Sequence, residues 1–167
     1  MSTDHDARAI AAHLLAREGH LLDTRQWDAW LSLYAPDCSW WVPSWRDEDH
    51  LVEDVEREVS LAWHPSRAGL EERVLRIRTR KSVTSMPLPR TTHLSSNVLA
   101  QFEGEHTIVG TASWQVHDWD PRLVRAQHRF GRYEYTLRLD DTAWRFTRKK
   151  IIVCNDLFPG VVDFYHL

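Results

Sequence analysis

The chain has 167 residues, a net charge of −3 and a pI near 6.3, which suits one hydrophobic core and leaves no basic footprint for nucleic acid. It has no apolar run of about 18 residues, and its polar, acidic start (Met1-Ser2-Thr3-Asp4-His5-Asp6) is unlike a signal peptide, so a cytoplasmic location is expected. Cys38 and Cys154 lack partners at metal-ligand spacing and the ten histidines form no His-x-x-x-His pair, which points to reduced structural thiols and no bound metal.

In chain order, His5 to Leu22 carries Ile10, Leu14 and Leu21 on one face with Ala11 and Leu15 beside it, a helical stripe that Asp4 to Asp6 can cap. Thr24 is placed to cap a second helix, in which Trp27, Trp30, Leu31 and Tyr34 follow helical spacing until Pro36 stops it. Asp37 to Pro43 reads as a short strand, and Ser44 to Glu58, polar and strongly acidic, as a loop or short helix. Val59 to Trp63 reads as another short strand. Leu70 to Lys81 reads as a third helix with Leu70, Val74 and Ile77 inward, Glu71 and Glu72 in the first turn, a Glu72–Arg76 pair and a basic end.

Four long strands follow. Thr92 to Glu103 and His106 to His117 alternate with period two, with turn chemistry at Gly104 and at Asp118-Trp119-Asp120-Pro121. Leu123 to Leu139 has apolar residues on even positions up to Phe130 and on odd positions from Tyr133, which predicts a bulge near Gly131. In the last strand Trp144 and Phe146 give way to Ile151 and Val153 across Arg148-Lys149-Lys150, predicting a second bend. Asn155 to Gly160 breaks that strand, and the apolar Val161 to Leu167 is expected to dock. The pattern predicts one α+β domain over residues 1–167: a helical front half (1–82), a bent antiparallel meander (90–155) wrapping the helices as a cone, and a tail (156–167).

Four segments carry a family resemblance: Trp27-Asp28-Ala29-Trp30-Leu31-Ser32-Leu33-Tyr34-Ala35-Pro36-Asp37, Gly69 to Thr79, Pro89 to Val98, and Val162-Asp163-Phe164-Tyr165-His166-Leu167. Taken in order they resemble the small (beta) subunits of bacterial Rieske non-haem iron aromatic ring-hydroxylating dioxygenases. The resemblance implies a cone of the ketosteroid isomerase and scytalone dehydratase superfamily, assembled as three small with three large subunits. It further implies that the large subunit holds a [2Fe–2S] Rieske cluster and a mononuclear Fe(II), that electrons come from NADH through a reductase, with or without a ferredoxin, and that this chain binds no cofactor. The lack of Cys-x-His and Cys-x-x-His motifs agrees with that division. An aromatic carboxylate is the expected substrate class of the complex, and the resemblance assigns no structure or role to the segment from Arg46 to Glu58.

On this reading no residue of the chain is catalytic, and the interface candidates are Trp40, Trp41, Trp45, Arg90, His93, Phe158, Phe164 and Tyr165, chosen for aromatic or guanidinium surface. The polar outer face of the sheet is open to copies of the chain or to the large subunit. A rival reading is a stand-alone lyase or isomerase using Asp37, Tyr34 and His93 as acid and base in a pocket. A third is a non-enzymatic dimeric binding module.

Overall fold

The computed structural model describes residues 3–80, 86–157 and 160–167. Helix α1 (Asp4–Asp23) starts at a capping box in which the Thr3 hydroxyl accepts from the Asp6 amide and the Asp6 carboxylate accepts from the Thr3 amide. Its inner face carries Ala7, Ala11, Leu14, Leu15, Leu21 and Leu22, and these meet the sheet. Gly19 makes that approach possible, because a Cβ there would lie 2.9 Å from the Cβ of His93. Thr24 is the C-cap of α1 rather than the cap of the next helix, its hydroxyl donating to the His20 carbonyl at 2.7 Å.

Helix α2 is shorter than its aromatic spacing suggests, spanning Trp27–Leu31. Tyr34 already opens strand β1 (Tyr34–Pro43), since the Phe146 amide captures the Leu33 carbonyl at 2.8 Å and turns the helix into a strand. An irregular segment with one bridge, Trp45 to Leu51, leads to β2 (Ser60–His64). Helix α3 (Arg67–Arg78) starts a turn earlier than its apolar positions indicate. Glu71 therefore sits in the second turn and pairs with Arg67 at 2.8 Å, replacing the expected Glu72–Arg76 pair. The expected end at Lys81 lies outside the described residues.

Strands β3 (Arg90–Phe102), β4 (Thr107–Asp120), β5 (Arg125–Asp140) and β6 (Ala143–Val153) form the expected meander. The sheet is nevertheless six-stranded and mixed, in the order β2-β1-β6-β5-β4-β3, because β1 pairs in parallel with β6. The bend in β6 is real: opposite Thr136 and Leu137 the register slips and Thr147 is the extra residue. The bulge near Gly131 is absent. β4 and β5 stay in unbroken register from Thr107–Arg138 to Asp120–Arg125, with the odd residues of β5 inward throughout. Arg129 faces in and Phe130 faces out, the reverse of what polarity alone suggests. Gly131 serves a close approach, since a Cβ there would collide with the Ile152 carbonyl, which accepts from the Trp114 indole at 3.2 Å.

The tail does dock, but into the chain's own core. The Phe164 ring stacks on Trp30 at 4.7 Å and meets Trp27 edge-on at 5.4 Å, and Phe164, Tyr165 and Leu167 are all buried.

Candidate functional site

The space between α1 and the sheet, where a cone can open a pocket, is filled here by aromatic rings around a buried ion pair. Lys149 reaches inward from β6 and its Nζ lies 2.6 Å from Glu18 Oε2, on the inner stripe of α1. The Tyr34 hydroxyl donates to the other Glu18 oxygen, and Nζ sits 3.8 Å from the centre of the Tyr133 ring. Burial pulls the Lys149 ammonium below its ordinary range while Glu18 opposes that shift. Burial first, and the Glu18 carboxylate second, push the Tyr34 hydroxyl well up, so it stays protonated and can only donate to Glu18.

A second polar group closes the end of α1. Asp23 Oδ1 lies 2.6 Å from His93 Nδ1 and accepts from the Thr91 hydroxyl at 2.8 Å, while Oδ2 accepts from the His93 amide at 3.0 Å. Burial works against ionisation of Asp23, but the bonds from His93 and Thr91 outweigh it and hold the carboxyl below its usual range. The other ring nitrogen, His93 Nε2, is buried without a hydrogen-bond partner among the described residues. Beyond it, Arg129 on β5 forms a buried ion pair with Asp118 on β4 and a bond to Gln127 at 2.9 Å. Burial raises the Asp118 carboxyl, against the pull of Arg129. His166, whose Nδ1 accepts from the Asp163 amide, is pushed down to about 3, by burial first and then by Arg129 and His93. Asp163 in turn holds Arg73 of α3 through contacts of 2.5 and 3.1 Å, pinning the tail to that helix.

The three residues of the acid–base alternative do not converge. The Asp37 carboxylate is exposed and gripped by Arg138 through two contacts of 3.0 Å, which keep its carboxyl low; Tyr34 is committed to Glu18, and His93 to Asp23. The residues that do meet inside, Glu18 and Lys149, escape a reading by polarity. Their only signal is phase: Glu18 falls on the stripe of Leu14 and Leu22, and Lys149 on that of Ile151 and Val153.

The interface candidates divide sharply by burial. Trp40, Phe164 and Tyr165 are core residues with at most 4% exposure, and the His93 ring is enclosed, so these four offer a partner almost no surface. Trp45 is 36% exposed, with its indole N–H on the Val153 carbonyl at 2.7 Å. Trp41 is half-buried with Lys150 over its ring at 5.0 Å, and Arg90 is exposed. Phe158 lies outside the described residues.

The donors for metal fit poorly: Cys38 is buried in the core and Cys154 half-buried at the end of β6. No group of three or more His, Cys, Asp or Glu side chains is placed to hold an ion among the described residues.

This architecture, helices packed into a curved six-stranded sheet, defines an α+β cone. A candidate scytalone dehydratase from Novosphingobium aromaticivorans superposes with a TM-score of 0.67 at 14% identity, covering 88% of this chain and 83% of that one, a likeness of fold alone. The family model described as "Ring hydroxylating beta subunit" matches residues 17–160. The small subunit of 2-halobenzoate 1,2-dioxygenase from Burkholderia cepacia is 40% identical over 151 residues, 90% of each chain. The crystal structure of the beta subunit of benzoate 1,2-dioxygenase from Burkholderia mallei aligns with a TM-score of 0.79 at 31% identity, covering 95% of this chain and 96% of that one. The chain belongs to the beta-subunit family of aromatic ring-hydroxylating dioxygenases, and so to the polypeptides of an oxidoreductase complex.

Proposed function

We propose that this chain is an assembly subunit: it binds a Rieske-type large subunit, in a complex expected to hold three of each, that dioxygenates an aromatic carboxylate with electrons from NADH. The Rieske cluster and the mononuclear iron belong to that partner, since the cysteines and histidines here are dispersed through core and surface. The observation that supports this reading is the core beneath α1, where Tyr34, Tyr133 and the Glu18–Lys149 pair are spent on one another; in the cavity of about 540 Å³ beside it, lined by Trp40, Leu61, His64, Arg73 and Phe164, Arg73 is already paired with Asp163. The names of the relatives, which act on benzoate and halobenzoate, support the carboxylate class.

The test is purification of the chain alone and together with a Rieske-type large subunit. The chain alone is expected to be colourless and inactive. The pair is expected to co-purify, to absorb in the visible and to consume NADH with benzoate-type substrates once reductase is added. Turnover of a small carbonyl or hydroxy compound by the isolated chain, lost on His93→Ala, overturns the proposal.

A further inference from the structure

Beside the Glu18–Lys149 core, a cavity of about 540 Å³ lies between strands β1 and β2, helix α3 and the tail, within the size range of small-molecule sites. Its floor is two cross-strand pairs on the inner face, Trp40 with His64 and Val42 with Ala62, and its wall includes Phe164 and Leu167. Trp40, Val42, Phe164 and Leu167 are core residues, at most 4% exposed, so packing elsewhere in the molecule already fixes the shape of this space. Ala62 is the small residue on the floor, and a larger side chain there would take up the room.

His64 is the polar group left over. Its ring lies 5.7 Å from the Trp40 ring and also against α3, where Gly69 makes room for it: a Cβ at that position would collide with His64 Nδ1. The imidazole is therefore held in place at the edge of the cavity, yet it makes no hydrogen bond among the described residues. Burial first, and then Arg73, hold it below its ordinary range, so near pH 7 it is uncharged and offers one N–H donor and one acceptor nitrogen.

The charges around the cavity select against an ion. Arg73 is already taken by Asp163 through contacts of 2.5 and 3.1 Å, and Asp156 stands exposed at the rim with no ion pair among the described residues. A carboxylate entering here would meet two acids and no free cation, whereas a cation would leave water beside Arg73. A flat uncharged ring suits the apolar walls, and a single hydroxyl suits the free imidazole.

We propose that this cavity binds a neutral aromatic molecule carrying one hydroxyl, its rings against Trp40 and Phe164 and its hydroxyl hydrogen-bonded to His64. The site does not depend on the assembly role: a chain that co-purifies with a large subunit but binds no such molecule refutes this inference alone.

The experiment is isothermal titration calorimetry of the full chain near pH 7.5 with 2-naphthol, and with 2-naphthoate as the same ring system bearing a charge. One 2-naphthol is expected to bind per chain, and 2-naphthoate at least about tenfold more weakly. Ala62→Phe is expected to abolish binding by filling the cavity, and His64→Leu to weaken it about three- to tenfold, each with an unchanged far-ultraviolet spectrum. The parent chain supplies a check that needs no variant: in proton–carbon NMR spectra the His64 ring signal is expected to move on adding 2-naphthol, while those of the exposed His5 and His106 stay. Absence of binding by the parent chain, 2-naphthoate binding as tightly as 2-naphthol, binding indifferent to Ala62→Phe or to His64→Leu, or an unmoved His64 signal overturns the inference.

Discussion

The Glu18–Lys149 pair and the Asp37–Arg138 pair have similar contact lengths, 2.6 and 3.0 Å, yet occupy opposite environments. The first is at most 4% exposed on either side chain, while the second is 65% exposed at Asp37 and 38% at Arg138. Removing charge from water is costly, and inside the cone mutual attraction, the Tyr34 hydrogen bond and the Tyr133 ring under the Lys149 ammonium offset it. At the surface water already solvates both groups, so the contact adds little. Distance alone therefore ranks neither pair. The buried one specifies how α1 lies against β6; the exposed one only decorates a strand end.

The comparison breaks most visibly if one partner of the inner pair is removed. Lys149→Ala is expected to cost about 3–5 kcal/mol, because it leaves the Glu18 carboxylate buried and uncompensated. Replacing both members with apolar residues, Glu18→Leu with Lys149→Met, is expected to recover most of that loss; urea unfolding of the single and double variants measures it. A double variant as unstable as Lys149→Ala rejects the desolvation argument. Phe164→Ala is expected to lose about 3–5 kcal/mol by opening a cavity against Trp30. The same melts check it, and a loss under about 1 kcal/mol would mean that the tail is not part of the core.

A pH titration sharpens the contrast further. His166 binds its proton near pH 3 in the folded chain and near 6.5 when unfolded, so the unfolded chain holds more protons between these values. Stability is then complete above about pH 6.5 and falls as the pH drops toward 3. His166→Gln is expected to flatten this part of the profile, read as urea midpoint against pH; an unchanged slope assigns the dependence to another group. The smallest effect belongs to the surface pair, where Asp37→Asn is expected to stay within about 0.5 kcal/mol of the parent.

Much of this molecule was legible from the spacing of its apolar residues. Helix α1, the meander and the two short strands follow from periods of 3.6 and 2, and the docking tail from its apolar content. Two of the errors share one physical cause, which is charge placed inward. Phe130 looked like a core residue and Arg129 like a surface one, so an imaginary bulge at Gly131 was needed to reconcile them; the inner Asp118–Arg129 pair removes that need. The polar run Arg148-Lys149-Lys150 likewise hid the inward Lys149. Parallel pairing of β1 with β6 leaves no local signature, because the partners are remote in sequence, and α2 was overextended because Tyr34 keeps helical spacing while its backbone joins the sheet.

That remote pairing also bears on how the chain comes to exist. Glu18 and Lys149 are 131 residues apart, and β1 has no neighbour on its β6 side until the final strand has left the ribosome. The first third of the polypeptide must wait, with its acid unneutralised and its aromatic rings unshielded, for the last strand to arrive. Native packing around β1 thus waits for β6, and a chain cut before β6 would be left as an open half-cone.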